Sequence, residues 1–196
     1  FKGNFDWNHL HPFPLQSAED KVIGDDYIEV LRGVLEAHID PSSVDRDGVI
    51  PREALNALAE VGAYGMKIPK EYGGLGLSQT NYSRACGFIS SYCASTAAGI
   101  TAHQSIGVPQ PLKMFGTKEQ KERYLPRLAR GAISAFALTE PGVGSDPAQM
   151  ITVAEPTPDG KYYIINGRKL WITNGTQAEL MVVMARTPSI TVRGKE

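Results

Sequence analysis

Apolar residues recur at helical spacing through the first two thirds of the chain. Ser17-Ala-Glu-Asp20 opens a segment whose Ile23, Tyr27, Val30/Leu31, Val34/Leu35 and Ile39 fall on one face, with Pro41 just beyond it. Pro51 starts a second predicted helix through Ala54, Leu55, Leu58 and Val61, ended by Gly62. The loop AYGMKIPKEYGGLGLS leads to a third helix near 78–92, and the small residues of CASTAAGITA (93–102) suggest one that packs closely. Thr117-Lys-Glu-Gln120 has the form of a capping box for a helix carrying Leu125 and Leu128, stopped at Gly131.

After Gly131 the period changes. Ser134, Phe136 and Leu138 alternate with alanines, as in a strand, and ITVAE, TPDG and KYYIIN together predict a hairpin. Asn166-Gly167 and Asn174-Gly175 bracket KLWIT, which predicts a strand between two turns, and LMVVMA (180–185) predicts a buried strand. A run of helices followed by a run of strands gives an α+β class, with an all-α N-terminal domain and a β domain after it. The boundary falls near 131–135, which divides the chain into an arm at 1–16, a helical domain at 17–132 and a β domain at 133–196.

Composition narrows the class further. At 196 residues the chain can bury a core in one or two domains, and its Lys+Arg (20) and Asp+Glu (21) nearly cancel. No basic field points to nucleic acid, and no apolar stretch approaches the roughly 20 residues of a membrane span. Cys86 and Cys93 form neither a disulfide framework nor a metal cluster, which favours a reducing compartment. The first residues, with Phe1, Phe5, Trp7, Phe13 and two prolines, lack the order of a signal peptide and suggest an arm that packs against something. The chain starts at Phe1 and stops at Glu196 just after an apolar run and a turn, so a piece of a longer polypeptide is expected.

Two segments can carry chemistry. Thr139-Glu-Pro-Gly-Val-Gly-Ser-Asp146 follows a predicted strand, and its glycines, Ser and Thr can offer N–H and hydroxyl donors to phosphate oxygens. The same residues also suit a Pro-Gly turn with an Asx or Ser cap, and they lack the third glycine of a Rossmann fingerprint. Trp171 and Thr173, two apart on the predicted strand, share a face that could flank an aromatic cofactor or pack as core. Other groups carry less. Gly73-Gly-Leu-Gly76 suits a connector, His9 and His11 lack carboxylate partners for a metal, and His103, Gln104 and Ser105 favour caps or packing. Glu140 in its turn suits a solvated or paired carboxylate, and Cys93 a buried structural thiol.

FALTEPGVGSDPA (136–148) followed by GKYYIINGRKLWITNG (160–175) closely resembles the two-part flavin signature of the acyl-CoA dehydrogenases. The resemblance extends upstream through GAYGMKIPKEYGGLGLS (62–78), TAHQSIG (101–107) and MFGTKEQKERYLPRLARG (114–131), and covers about residues 52–188. Those upstream segments are most similar to the very-long-chain branch. The family relationship implies an all-α domain, then the start of a β-barrel domain, with a C-terminal helical bundle absent from this chain. It implies FAD, with Phe136, Leu138 and Thr139 beside the flavin ring and Thr139 bonding its pyrimidine edge. Gly144 and Ser145 would approach the pyrophosphate, with Ser145 also bordering the acyl-CoA. Trp171 would flank the isoalloxazine, Ile172 would line the same site, and Thr173 would bond near N5.

The implied reaction is α,β-dehydrogenation of a fatty acyl-CoA to the trans-2-enoyl-CoA in β-oxidation. Its base would be a glutamate outside this chain, so the chain alone is expected to be inactive. Electron-transfer flavoprotein would be the partner, a homo-dimer or homo-tetramer the assembly, and the bacterial cytoplasm or mitochondrial matrix the location, with no signal or transit peptide in the chain. Two alternatives are a flavin monooxygenase on the same fold and a non-catalytic assembly or partner subunit. Two departures stand out: Phe136 where many relatives have Tyr, and Pro147, which removes an N–H from the signature loop.

Overall fold

The computed structural model describes residues 3, 6–12 and 15–189. Phe1, Phe5 and Phe13 of the expected arm lie outside the described residues, as does the chain after 189. Among the described residues seven α-helices come first: α1 (Ala18–His38), α2 (Pro41–Asp47), α3 (Arg52–Glu60), α4 (Gln79–Tyr92), α5 (Ala94–Thr101), α6 (Pro109–Phe115) and α7 (Lys118–Ala129). Four short strands follow, β1 (Ser134–Ala137), β2 (Val153–Pro156), β3 (Tyr163–Asn166) and β4 (Leu180–Val183).

The helix boundaries follow local chemistry. Ser17 Oγ accepts from the Asp20 N–H at 3.1 Å at the start of α1, and Ser78 Oγ does the same for Asn81 at the start of α4. The capping box of α7 closes in both directions, Thr117 Oγ1 taking the Gln120 N–H and Gln120 Oε1 the Thr117 N–H. Gly131, at φ 102°, lets the chain leave α7 in a conformation a side chain would resist.

The apolar face of α1 sits differently from its expected position. Leu31, Leu35 and Ile39 are buried, while Ile23 and Val30 are nearly half exposed. The cause is Gly24, where a Cβ would lie 1.9 Å from Asn81 Oδ1. The missing side chain draws α1 against α4 along the Gly24–Leu31–Leu35 line and turns Ile23 and Val30 outward. A polar clasp completes the contact: Asp20 accepts from Gln16, Ser78 and Asn81 across the two helices.

The main core joins Leu31, Leu35, Leu58, Met66, Ile89 and Ile100, and a smaller one joins Ile68, Leu125, Leu128 and Ala129. The Gly73–Gly76 run serves as a connector, as expected. Leu75 N donates to Gly65 O and Gly76 N to Ile68 O, and Gly74 approaches Ile68 O so closely that a Cβ would stand 2.1 Å from it. Both cysteines are free, and the buried Cys93 thiol accepts from Thr96 Oγ1 at 3.2 Å.

The strands form two separate pairs. β2 and β3 make the expected antiparallel hairpin, with Val153 opposite Asn166. β1 and β4 pair in parallel, Ser134 opposite Leu180, so the chain between them must cross back. That crossing explains a correction. KLWIT is not a strand: Trp171 has φ 57°, residues 173–177 form turns, and Asn174 has φ 63°. Asn174 Nδ2 anchors this turn to Gly99 O and Ser134 O, at 3.0 and 3.3 Å. A second correction concerns LMVVMA, where β4 alternates between partly buried and exposed residues and leaves Met181 and Val183 open.

Candidate functional site

β1 delivers Phe136 and, one and two residues past its end, Leu138 and Thr139 into a tight loop, all three half-buried. Glu140 N donates to Val143 O and Val143 N to Glu140 O, both at 3.0 Å, which closes the Glu-Pro-Gly-Val turn. Asp146 Oδ1 then caps a short 3-10 helix at Pro147–Gln149 through the Ala148 N–H. Pro147 begins that helix, where a lost N–H leaves no acceptor unpaired. Gly144 and Ser145 are exposed between the two features.

The crossing segment returns directly onto this loop. Leu170 N donates to Thr139 O at 2.9 Å, and Lys169 Nζ donates to Leu138 O at 3.0 Å and to Glu140 Oε1 at 2.8 Å. Glu140 is 2% exposed and also accepts the N–H groups of Ile151 and Thr152, at 2.7 and 3.0 Å. The expectation that Glu140 is solvated or paired therefore resolves in favour of a buried pair. The Ile151 N–H first, then Lys169 and Thr152, hold its carboxyl down to about 2. Sequence spacing offered no route to this contact, because its partners are 29 residues apart.

Several donors at the site are left over. Among the described residues, nothing accepts from the N–H groups of Thr139, Gly144 or Ser145, and the hydroxyls of Thr139, Ser145 and Thr173 have no partner. The Thr139 N–H is the next donor in the β1–β4 ladder after Met184 N bonds Ala137 O, so the ladder stops where the loop begins. Unpaired N–H groups in a glycine-containing turn are suited to an anionic or polar ligand. Trp171 offers the same region an aromatic face, 82% exposed. It does not share a strand face with Thr173, because its left-handed backbone breaks the alternation. Thr173 instead borders a cavity of about 300 Å³, together with Ala98 and Gly99 of α5 and with Tyr64.

His103 and Gln104 lie away from this site and are structural, as expected. Both are fully buried, because residues 102–106 widen into a π-turn that faces both inward. Gln104 Nε2 donates to Ala63 O at 3.0 Å. The Ser134 N–H donates to His103 Nδ1, so Nε2 carries the hydrogen that bonds Tyr64 O at 3.0 Å. Burial lowers this imidazole to about 4, which keeps it neutral at ordinary pH. His11 lies against Trp7 with ring centroids 5.4 Å apart and planes tilted by 36°, and no group of three metal-ligating side chains occurs among the described residues.

A helical region feeding a strand-and-loop site of this form defines a class, and comparison with known proteins identifies it. Residues 25–132 match the acyl-CoA dehydrogenase N-terminal domain and residues 135–195 the acyl-CoA dehydrogenase middle domain, so the chain belongs to the acyl-CoA dehydrogenase family. It is 50% identical over 188 residues to a probable acyl-CoA dehydrogenase, FadE10, of Mycobacterium tuberculosis. It is 40% identical over 190 residues to the human mitochondrial very long-chain specific acyl-CoA dehydrogenase. Each match covers 96% of this chain and 29% of the relative, so the chain spans under a third of those proteins. Among solved structures it resembles an acyl-CoA dehydrogenase complexed with FAD from Bacillus anthracis, with TM-score 0.74 and 32% identity over 94% of this chain and 31% of that one. No helix among the described residues is long and apolar enough to cross a membrane.

Proposed function

We propose that this chain forms the flavin-facing part of an FAD-dependent fatty acyl-CoA dehydrogenase, divided into a helical domain at 17–132 and a β domain at 133–196. The observation that carries the reading is the clamp of Lys169 and Leu170 on Leu138 and Thr139, which joins the two signature segments and leaves the Thr139, Gly144 and Ser145 donors unspent. FAD fits those donors. The Thr139 N–H and hydroxyl would take the ring's polar edge, with Phe136 and Leu138 beside it. Gly144 and Ser145 would take the pyrophosphate, Ser145 also meeting the substrate, while Trp171, Ile172 and Thr173 close the ring side.

When bound, FAD supplies the acceptor for the β hydride as the acyl thioester becomes its trans-2-enoyl form. The residues of this chain hold and orient. Glu140 does not serve as the base, because a carboxylate held near 2 by three donors is a weak proton acceptor at neutral pH. The family resemblance implies that the base is a glutamate outside this chain. Electron-transfer flavoprotein would receive the electrons, and a homo-oligomer, dimeric or tetrameric, would be the working assembly. A bacterial cytoplasm or mitochondrial matrix would house it.

Long acyl chains are the proposed substrate class. Ala98 and Gly99 present no bulk to the cavity that Thr173 borders, and α5 carries no aromatic side chain. The test of the whole reading is flavin content. Protein carrying this chain should take up FAD, and Trp171→Ala should lower its retention or slow reduction by an acyl-CoA. Unchanged flavin content and reduction in that variant would refute the assignment, and flavin-free protein held to a stable partner would favour the non-catalytic alternative.

A further inference from the structure

Thr139 is gripped from both sides by the crossing segment. Lys169 Nζ holds the carbonyl before it, Leu138 O, and the Leu170 N–H holds its own carbonyl. The carbonyl of Leu138 and the N–H of Thr139 belong to one peptide plane, and in a trans peptide they point in opposite directions. Fixing the carbonyl toward Lys169 therefore aims the Thr139 N–H away from it, on the side where no acceptor waits among the described residues.

The lysine is itself held. Its side chain is 12% exposed and that of Glu140 0%, so the ion pair sits out of water. Glu140 is anchored by the Ile151 and Thr152 N–H groups at the entry to β2. The four contacts tie β1's exit, β2's entry and the Trp171 segment to one point. A buried ion pair is a poor source of stability, since desolvation offsets much of the attraction. Fixed geometry is what this one supplies.

We propose that Lys169 and Glu140 are a positioning pair that aims the Thr139 N–H at the polar edge of the flavin ring. The proposal rests on the flavin reading above and names residues that the signature contacts leave out. Neither side chain touches the reacting atoms.

The test uses Lys169→Met and the double variant Glu140→Gln/Lys169→Met in protein that takes up FAD. FAD titration should show affinity weaker by about tenfold in Lys169→Met, the loss of one well-made hydrogen bond. The visible absorption envelope of the bound flavin should shift. Amide exchange should quicken at Leu170, Ile151 and Thr152 and stay slow at Leu31 and Leu125. In the double variant, which leaves no unpaired buried charge, the fold should hold while the affinity loss and spectral shift persist.

Three results decide against the proposal. FAD affinity within about twofold of the parent with an unchanged spectrum would overturn it and leave the flavin reading intact. Exchange that quickens throughout both variants would make the pair a general support of the fold. Parent protein that takes up no FAD would overturn the flavin reading, and this proposal with it.

Discussion

The helical region and the strand region use the same kinds of residue to different ends. Leu31, Leu35, Leu58 and Ile89 are fully buried among one another, and the buried Asn81, His103 and Gln104 have partners, while Tyr27 Oη and Gln110 Oε1 are buried without one among the described residues. In the strand region Ile164 and Ile165 are more than half exposed, Trp171 is 82% exposed, and backbone donors at 139, 144 and 145 find no acceptor among the described residues. The apolar core of the helices closes on itself. The strands present apolar faces and polar groups outward, which is the condition of a surface made to meet something else.

If that contrast is sound, truncations should differ sharply between the regions. Leu58→Ala should cost about 2–5 kcal/mol by urea unfolding, because it opens a cavity at a fully buried site. Ile164→Ala should cost under about 1 kcal/mol, the range for exposed positions. Comparable losses at the two sites would erase the distinction.

Acid should separate the regions next. His103 has its folded value lowered to about 4 from 6.5, so its contribution is intact above pH 6.5. As pH falls from 6.5 toward 4 the unfolded chain takes up a proton that the folded chain refuses. Stability should decline over that window by about 3 kcal/mol. Glu140 acts lower, its contribution present above 4.5 and lost as pH falls toward 2. Urea midpoints at pH 7, 5 and 3.5 in His103→Gln should lack the upper step and keep the lower one. An unchanged upper step would show that another group carries it.

Substrate length sharpens the comparison at the seam of the two regions. Ala98→Phe should reduce turnover of long acyl-CoAs about tenfold more than that of short ones, as filling a pocket does. An equal loss at all lengths would mean that α5 is slim for packing alone. The smallest effect is on stability. Trp171→Ala should leave the urea midpoint within about 0.5 kcal/mol, since an indole this exposed stabilises little. A large loss would move Trp171 from ligand surface to fold support.

Much of this could be drawn from the sequence, because it depends on neighbours along the chain. The caps at Ser17 and Thr117, the stop at Gly131, the β2–β3 hairpin and the signature segments are all local, and the structure keeps them. α2 and α6, each seven residues long, carry too little periodic pattern to be anticipated. What only the tertiary structure decided is long-range. Gly24 against Asn81 rotated the buried face of α1, and the parallel pairing of β1 with β4 forced KLWIT out of a strand. The π-turn put adjacent His103 and Gln104 both inside, and Lys169 met Glu140 across 29 residues. Caps and turns are settled by chemistry within four or five residues, where one conformation satisfies the groups at hand. A backbone flip or a buried ion pair is settled by which distant group arrives to complete it, and that arrival is a property of the packed chain.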